Sequence, residues 1–162
     1  MNDNDHIKFS LDWTIRNAIP SIAVMGDLRD AKKVVEDALF RANKKSVILD
    51  ARAMPSVDEV NSHRRGQCFF EAFFEMQGIK TVPEVLIIDR FNHRPPKETY
   101  FIKSLLNRDC DYDQTTREYL SGLKQIILIL DRLDSPGAYG LDNSIQTSIV
   151  SCIDLDAIDR AN

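Results

Sequence analysis

Val85-Leu86-Ile87-Ile88-Asp89 is a short apolar run that ends on an aspartate, and the chain repeats that arrangement three more times. The other runs are Ile22-Ala23-Val24-Met25-Gly26-Asp27, Val47-Ile48-Leu49-Asp50 and Ile126-Ile127-Leu128-Ile129-Leu130-Asp131. Unbroken apolar runs, rather than alternating ones, are the mark of strands covered on both faces, as in a parallel sheet. Between them lie segments of helical period. The fold class that follows is α/β: a mixed, largely parallel sheet of four to five strands packed with helices. In such a sheet the carboxyl ends of the strands line the ligand crevice, so the terminal aspartates are candidates for one site.

Working outward, Ile7-Lys8-Phe9-Ser10-Leu11-Asp12-Trp13 alternates apolar and polar residues and reads as a half-buried strand. After the strand at 21–26, Asp27 is placed to cap a helix whose stripe is Ala31, Val34, Val35, Ala38, Leu39 and Ala42. Following the strand at 46–50, Ser56 and Glu59 form a capping box that opens a helix expected to run to about Gly78. Phe69-Phe70 and Phe73-Phe74 fit a helix wedged between the sheet and another element better than an exposed partner surface. Pro95-Pro96 pre-sets another helix, with Tyr100, Phe101, Leu105 and Leu106 as its apolar face. The segment 114–134 reads as a helix then a strand, broken at Ser121-Gly122, with one long helix as the alternative. Ile145 to Ile153 is strand-like, and Asp154-Leu155-Asp156 reads as a loose tail.

The 162 residues suit a single domain, with residues 1–6 and 157–162 as loose termini. A net charge of −4 gives no support for nucleic-acid binding. No apolar stretch approaches the roughly 20 residues that span a bilayer, and the acidic first residues are the reverse of a signal peptide. The expected address is therefore cytoplasmic, away from membranes. Cys68, Cys110 and Cys152, odd in number and widely spaced, argue against a disulfide framework or a zinc site. Nucleotide binding of either familiar type is disfavoured, because neither Gly-x-Gly-x-x-Gly nor a Gly-Lys-Ser/Thr loop is present. Cys110 and Arg117 do not form the loop of cysteine-dependent phosphatases: the spacing is one residue too long, and Asp111 and Asp113 would raise the thiol pKa.

Two constellations remain. Asp27, Asp50 and Asp89 are the candidate metal ligands, with Mg²⁺ as the cation that suits carboxylates, although no cofactor is expected. In an enzyme, Asp27, Asp50 and His93 would be the acid/base groups. The second constellation is basic: His63-Arg64-Arg65 and Arg90, His93, Arg94. Arg64, Arg65, Arg90 and Arg94 are the candidates for holding a phosphate- or carboxylate-bearing small molecule.

Gly26-Asp27-Leu28-Arg29-Asp30, Val47-Ile48-Leu49-Asp50 and Val57-Asp58-Glu59 resemble the motifs of the STAS domain, the family of anti-sigma-factor antagonists, over residues 7–106. That resemblance implies a non-catalytic regulatory module that binds another protein, with Asp58 and Glu59 at the contact surface. Glu59 stands where such regulators carry a phosphorylated serine, so a fixed charge would replace the switch. The stretch from Val47 to Asp58 is also similar to the phosphoacceptor strand of response-regulator receivers, with Asp50 as the acceptor. The regulatory module is the first expectation; an enzyme or ligand-binding protein using the strand-end acids and arginines is the alternative.

Overall fold

The computed structural model describes residues 3–26, 30–94, 96–107, 112–131 and 143–155. The chain runs α1 (Asp3–Arg16), β1 (Ser21–Met25), α2 (Ala31–Arg41), β2 (Ser46–Asp50), α3 (Val57–His63), α4 (Phe69–Met76), β3 (Val85–Asp89) and α5 (Pro96–Asn107). It continues with α6 (Gln114–Tyr119), β4 (Gln125–Leu130), α7 (Asn143–Gln146) and β5 (Ser151–Asp154). Five strands form one sheet in the order β2-β3-β4-β1-β5, and every pairing is parallel. No helix among the described residues is long and apolar enough to cross a membrane.

The unbroken apolar runs serve two cores at once. On one face Ile22, Val24, Val85, Ile87, Ile127 and Ile129 pack with Leu11 and Ile15 of α1 and Ala31, Val35, Ala38 and Leu39 of α2. On the other, Ala23, Leu86, Ile88, Ile126, Leu128 and Leu130 pack with residues of α3 to α7. Neighbouring residues in a strand point to opposite layers, so a strand between two helix layers has no polar position to spare. The phenylalanines of α4 behave as a wedged helix requires. Phe70, Phe73 and Phe74 are buried, and Phe69 and Phe73 set their rings against Phe101 of α5 at 5.4 and 5.1 Å. Aromatic pairs at these separations add to the area term.

Several local expectations are corrected. Residues 7–13 are not a strand but part of α1. A strand would put Leu11 and Trp13 on one face, yet Leu11 is fully buried while Trp13 is 52% exposed. Burial recurs instead at Leu11, Thr14 and Ile15, a helical spacing. The terminus expected to be loose through residue 6 enters this helix at Asp3. The helix expected from Ser56 to Gly78 is two, α3 and α4. Arg64 turns extended after α3, and Gly66 takes φ +80°, a conformation that favours glycine. The capping box itself forms as read, with reciprocal bonds of 3.1 Å between Ser56 and Glu59.

Asp30, not Asp27, caps α2, its Oδ1 accepting from the Lys33 backbone N–H at 3.2 Å; Asp27 lies outside the described residues, as does Cys110. Segment 114–130 is helix then strand, with the break at Leu120–Gly122. The strand expected over 145–153 shrinks to β5, preceded by α7. Ile145 and Ile153 are an even number of residues apart and would share a face in one strand, yet they lie in opposite cores. Leu155 is no tail residue: it is buried and its N–H donates to the Met25 carbonyl at 2.8 Å. Tyr100 is half exposed, outside the apolar face assigned to it.

At the amino end of the sheet, Gln125 is completely buried and fully bonded. Its Nε2 donates to the carbonyls of Thr14 (3.3 Å) and Ile19 (3.1 Å), and its Oε1 accepts from Lys44 Nζ (3.0 Å). Lys44 Nζ also donates to the Ile15 carbonyl at 2.6 Å. The pair thereby ties the Thr14 and Ile15 carbonyls at the end of α1, and the Ile19 carbonyl after it, to the start of β4. Replacing Gln125 by Leu should cost about 2 kcal/mol, lowering Tm by about 4–8 °C with little change in the denaturant m-value. An unchanged Tm would show that this network does not hold α1 to the sheet.

Candidate functional site

The carboxyl end of the sheet is where the connections diverge. β1 leads to α2 on one face, whereas β4, its neighbour, is followed by α7 on the other. A crevice at such a reversal is the usual ligand site of an open α/β sheet. Asp50 and Asp89 are register partners at the ends of β2 and β3, and Asp131 follows β4 directly. Ile48, Ile87 and Ile129, two residues before each acid, belong to the core under α1 and α2. By strand parity all three carboxylates therefore lie on the α2 side of the sheet.

Their states differ. Asp50 accepts from the Arg52 guanidinium at 2.8–3.3 Å and from the Arg52 backbone N–H at 3.0 Å. Burial pushes the Asp50 carboxyl up, but these bonds and the charges of Arg52 and His93 outweigh it and hold it below the usual range. Asp131 pairs with His93 Nε2 at 2.8 Å. Asp89 accepts from the Arg90 backbone N–H at 3.0 Å. Burial raises the Asp89 carboxyl, the charges of Asp131 and Asp50 add to the rise, and Lys32 and Arg52 oppose it. A half-buried carboxylate held against like charges is a physical mark of a candidate functional site.

The turn after β3 is shaped to bring these groups together. Arg90 adopts φ +54°, a left-handed conformation that a side chain rarely takes without external support. That support comes from Asn92, whose side-chain amide donates to the Asp131 carbonyl at 2.5 Å and accepts from its N–H at 3.1 Å. The amide thus imitates a strand and extends the β3–β4 ladder by one rung, while Phe91 anchors the turn in the core. Asn92, Arg52 and Lys32 were not singled out from sequence. They carry no local signal, whereas Asp131, which closes the fourth apolar run, was read as a strand-end candidate though not as a metal ligand.

The basic constellation divides. Arg90 and His93 sit at the β3 turn beside the acids. The guanidinium of Arg94 is committed to the carbonyls of Ala51 (3.2 Å) and Met54 and to Glu98 (3.4 Å), so it ties the β2–α3 connection to α5. Arg64 donates to the Gln67 carbonyl at 3.0 Å and acts electrostatically on Asp113; Arg65 follows it, exposed. Asp58 and Glu59 lie on the first turn of α3, and Ser56 hydrogen bonds hold the Glu59 carboxyl below its ordinary range. Of the metal candidates, Asp50 and Asp89 are neighbours. Among the described residues no three acid, histidine or cysteine side chains form a metal cage. Mg²⁺ commonly needs only one or two carboxylates, with phosphate oxygens and water completing its shell, so Asp89 and its neighbours fit that use.

The fold and this cluster of strand-end charges define a parallel α/β domain with a charged candidate site at the carboxyl ends of its strands. Among solved structures the chain is similar to the RuvB Holliday junction branch migration motor of Thermotoga maritima, with a TM-score of 0.55 and 8% identity over 93% of this chain and 44% of that one. A P216G mutant of the same protein gives a TM-score of 0.57 at 11% identity, over 96% and 47%. The chain thus spans less than half the length of these structures, and identity this low speaks for the fold alone. No family model matches the sequence, and no curated protein does.

The raised Asp89 carboxyl has a consequence for stability. The folded state holds this proton to higher pH than the unfolded chain does, so stability falls as pH climbs from the ordinary carboxylate range through the raised value. Asp89→Asn should therefore raise Tm at pH 7, by up to about 3 °C, with the gain vanishing near pH 4. A Tm that drops at pH 7, or a gain independent of pH, would contradict this electrostatic account.

Proposed function

We propose that this chain is a ligand-binding α/β domain that holds a phosphate-bearing small molecule, together with Mg²⁺, at the carboxyl ends of β1, β3 and β4. The observation that carries this reading is Asp89: a half-buried carboxylate at the end of β3, one strand from the reversal between β4 and β1, with Asp50 and Asp131 beside it and Lys32, Arg52, Arg90 and His93 around it. In this reading Asp89 faces the cation, and Lys32 and Arg90 face phosphate oxygens. Asp50 and His93 are already engaged by Arg52 and Asp131, so their part is to set the field and the shape of the crevice. The acid/base roles that Asp50 and His93 would have in an enzyme are not needed for binding.

The likeness to RuvB, a motor, makes a nucleotide the first ligand to try. The β1–α2 connection, Gly26-Asp27-Leu28-Arg29-Asp30, lacks the lysine and hydroxyl residue of a phosphate loop, so the proposal is binding rather than hydrolysis. Asp89 would hold the cation, whose charge would add to that of Arg29, the one basic residue of that connection.

The test is thermal denaturation with ATP, ADP, inorganic phosphate and sugar phosphates, each with and without Mg²⁺. A ligand at about 100 times its dissociation constant adds about 2.7 kcal/mol, which raises Tm by about 5–10 °C in a chain of this size. The expected result is a Mg²⁺-dependent shift with one phosphate-bearing compound that disappears in Asp89→Ala. A flat response throughout, or a shift that survives Asp89→Ala, contradicts the proposal.

A further inference from the structure

The sheet has two edges, and β2 forms one of them. From Ser46↔Val85 to Asp50↔Asp89 it pairs with β3 without a bulge, and no strand lies on its other side among the described residues. The Lys45 carbonyl accepts from the Val85 N–H at 3.3 Å and so points towards β3. Successive residues of a strand turn their backbone groups to opposite edges, which aims the N–H and C=O of Ser46 and Ile48, and the N–H of Asp50, outward. Whereas β3 and β4 are buried along almost their whole length, β2 leaves Ser46 exposed and Val47 and Ile48 only half-buried. A row of outward donors and acceptors beside partly covered apolar side chains is a template for another strand.

We propose that this edge is a two-fold interface, at which β2 pairs antiparallel with β2 of a second copy of this chain. The argument is self-complementarity. In an antiparallel pair, outward-facing residues oppose outward-facing ones, and opposed side chains share a face of the sheet. Even-numbered residues of β2 therefore meet even-numbered ones, and only a two-fold axis at Ile48 pairs the whole strand with itself. Ser46 then opposes Asp50, Val47 opposes Leu49, and Ile48 opposes its own copy. The half-buried Val47 and Ile48 gain apolar neighbours, one on each face of the sheet. Like charges do not meet within the strand: Ser46 is neutral, and Asp50 is compensated by the Arg52 guanidinium at 2.8 Å. The pairing joins two sheets into one continuous sheet and, being isologous, closes at two chains.

This inference does not depend on the strand-end ligand, and its test is self-association of the full chain, followed by sedimentation velocity over a range of concentrations. A concentration-dependent dimer is expected. Ile48→Glu and Ile48→Lys should each weaken it by about tenfold, because like charges then face one another across the axis. Mixing the two variants should restore a dimer, since each glutamate then meets a lysine; a variant that merely damaged the core would show no such rescue. Ser46→Pro removes an N–H that β3 does not use and sets a ring at the open edge. It should weaken the dimer while leaving the circular dichroism and Tm of the chain as they are, and it decides the matter alone if the Ile48 variants fail to fold. A chain that stays monomeric at every concentration overturns the proposal and leaves the edge to a strand of some other protein. A dimer that survives Ser46→Pro overturns it too, as does the lack of rescue when folded Ile48 variants are mixed.

Discussion

Everything in this molecule follows from the cost of leaving either face of a parallel sheet in water. β3 and β4 are buried along almost their whole length, so each needs helices on both sides. The chain meets that demand unequally: α1 and α2 cover one face, and the elements from α3 to α7 cover the other. Because residues alternate between layers, this division also decides where the strand-end acids fall. Asp50, Asp89 and Asp131 share parity with Ile48, Ile87 and Ile129, and so they gather under the start of α2. The candidate site is a geometric by-product of how the sheet is covered.

The two ends of the sheet are treated differently. At the amino end, polar groups are closed into a satisfied network: Gln125 and Lys44 bind the last carbonyls of α1, and Ser21 binds the Ser148 carbonyl and the Val150 N–H. Such networks stabilise because no buried donor or acceptor is left alone. At the carboxyl end, like charges crowd, one carboxyl is driven up by burial, and Arg90 takes a left-handed conformation. Local cost concentrated at one end of a sheet, while the other end is fully bonded, is the pattern expected of a site kept for a ligand.

The fold class and the strands at 21–26, 46–50, 84–89 and 126–130 were legible because continuous apolar runs have one simple explanation. Where sequence reading failed, two periods competed over a short span. Ile7 to Trp13 alternates by chance, and only the burial of Thr14 and Ile15 in the next turn exposes a helix. The break between α3 and α4 comes where Arg64 turns extended and Gly66 takes φ +80° in open space; read by itself, one glycine in a helical pattern is only a tolerable cost. For the site, a run-ending aspartate could be read, but partners contributed from distant loops could not. Lys32, Arg52 and Asn92 look like ordinary surface residues until the topology places them beside Asp89 and Asp131. Conversely, Arg64 and Arg94 read in sequence as receptors for an anion and act in the structure as braces, because each guanidinium is bonded to backbone carbonyls.

The central claim is that the crevice at Asp89 holds a cation together with a phosphate-bearing ligand. Paramagnetic line broadening tests it most directly: substoichiometric Mn²⁺ is added with ADP to isotopically labelled protein, and amide signals are followed by NMR. The account predicts broadening confined to residues 50–52, 89–93 and 131 and to the start of α2, and much weaker when ADP is omitted. Broadening centred on Asp58 and Glu59, or spread over the acidic surface without preference, would contradict it.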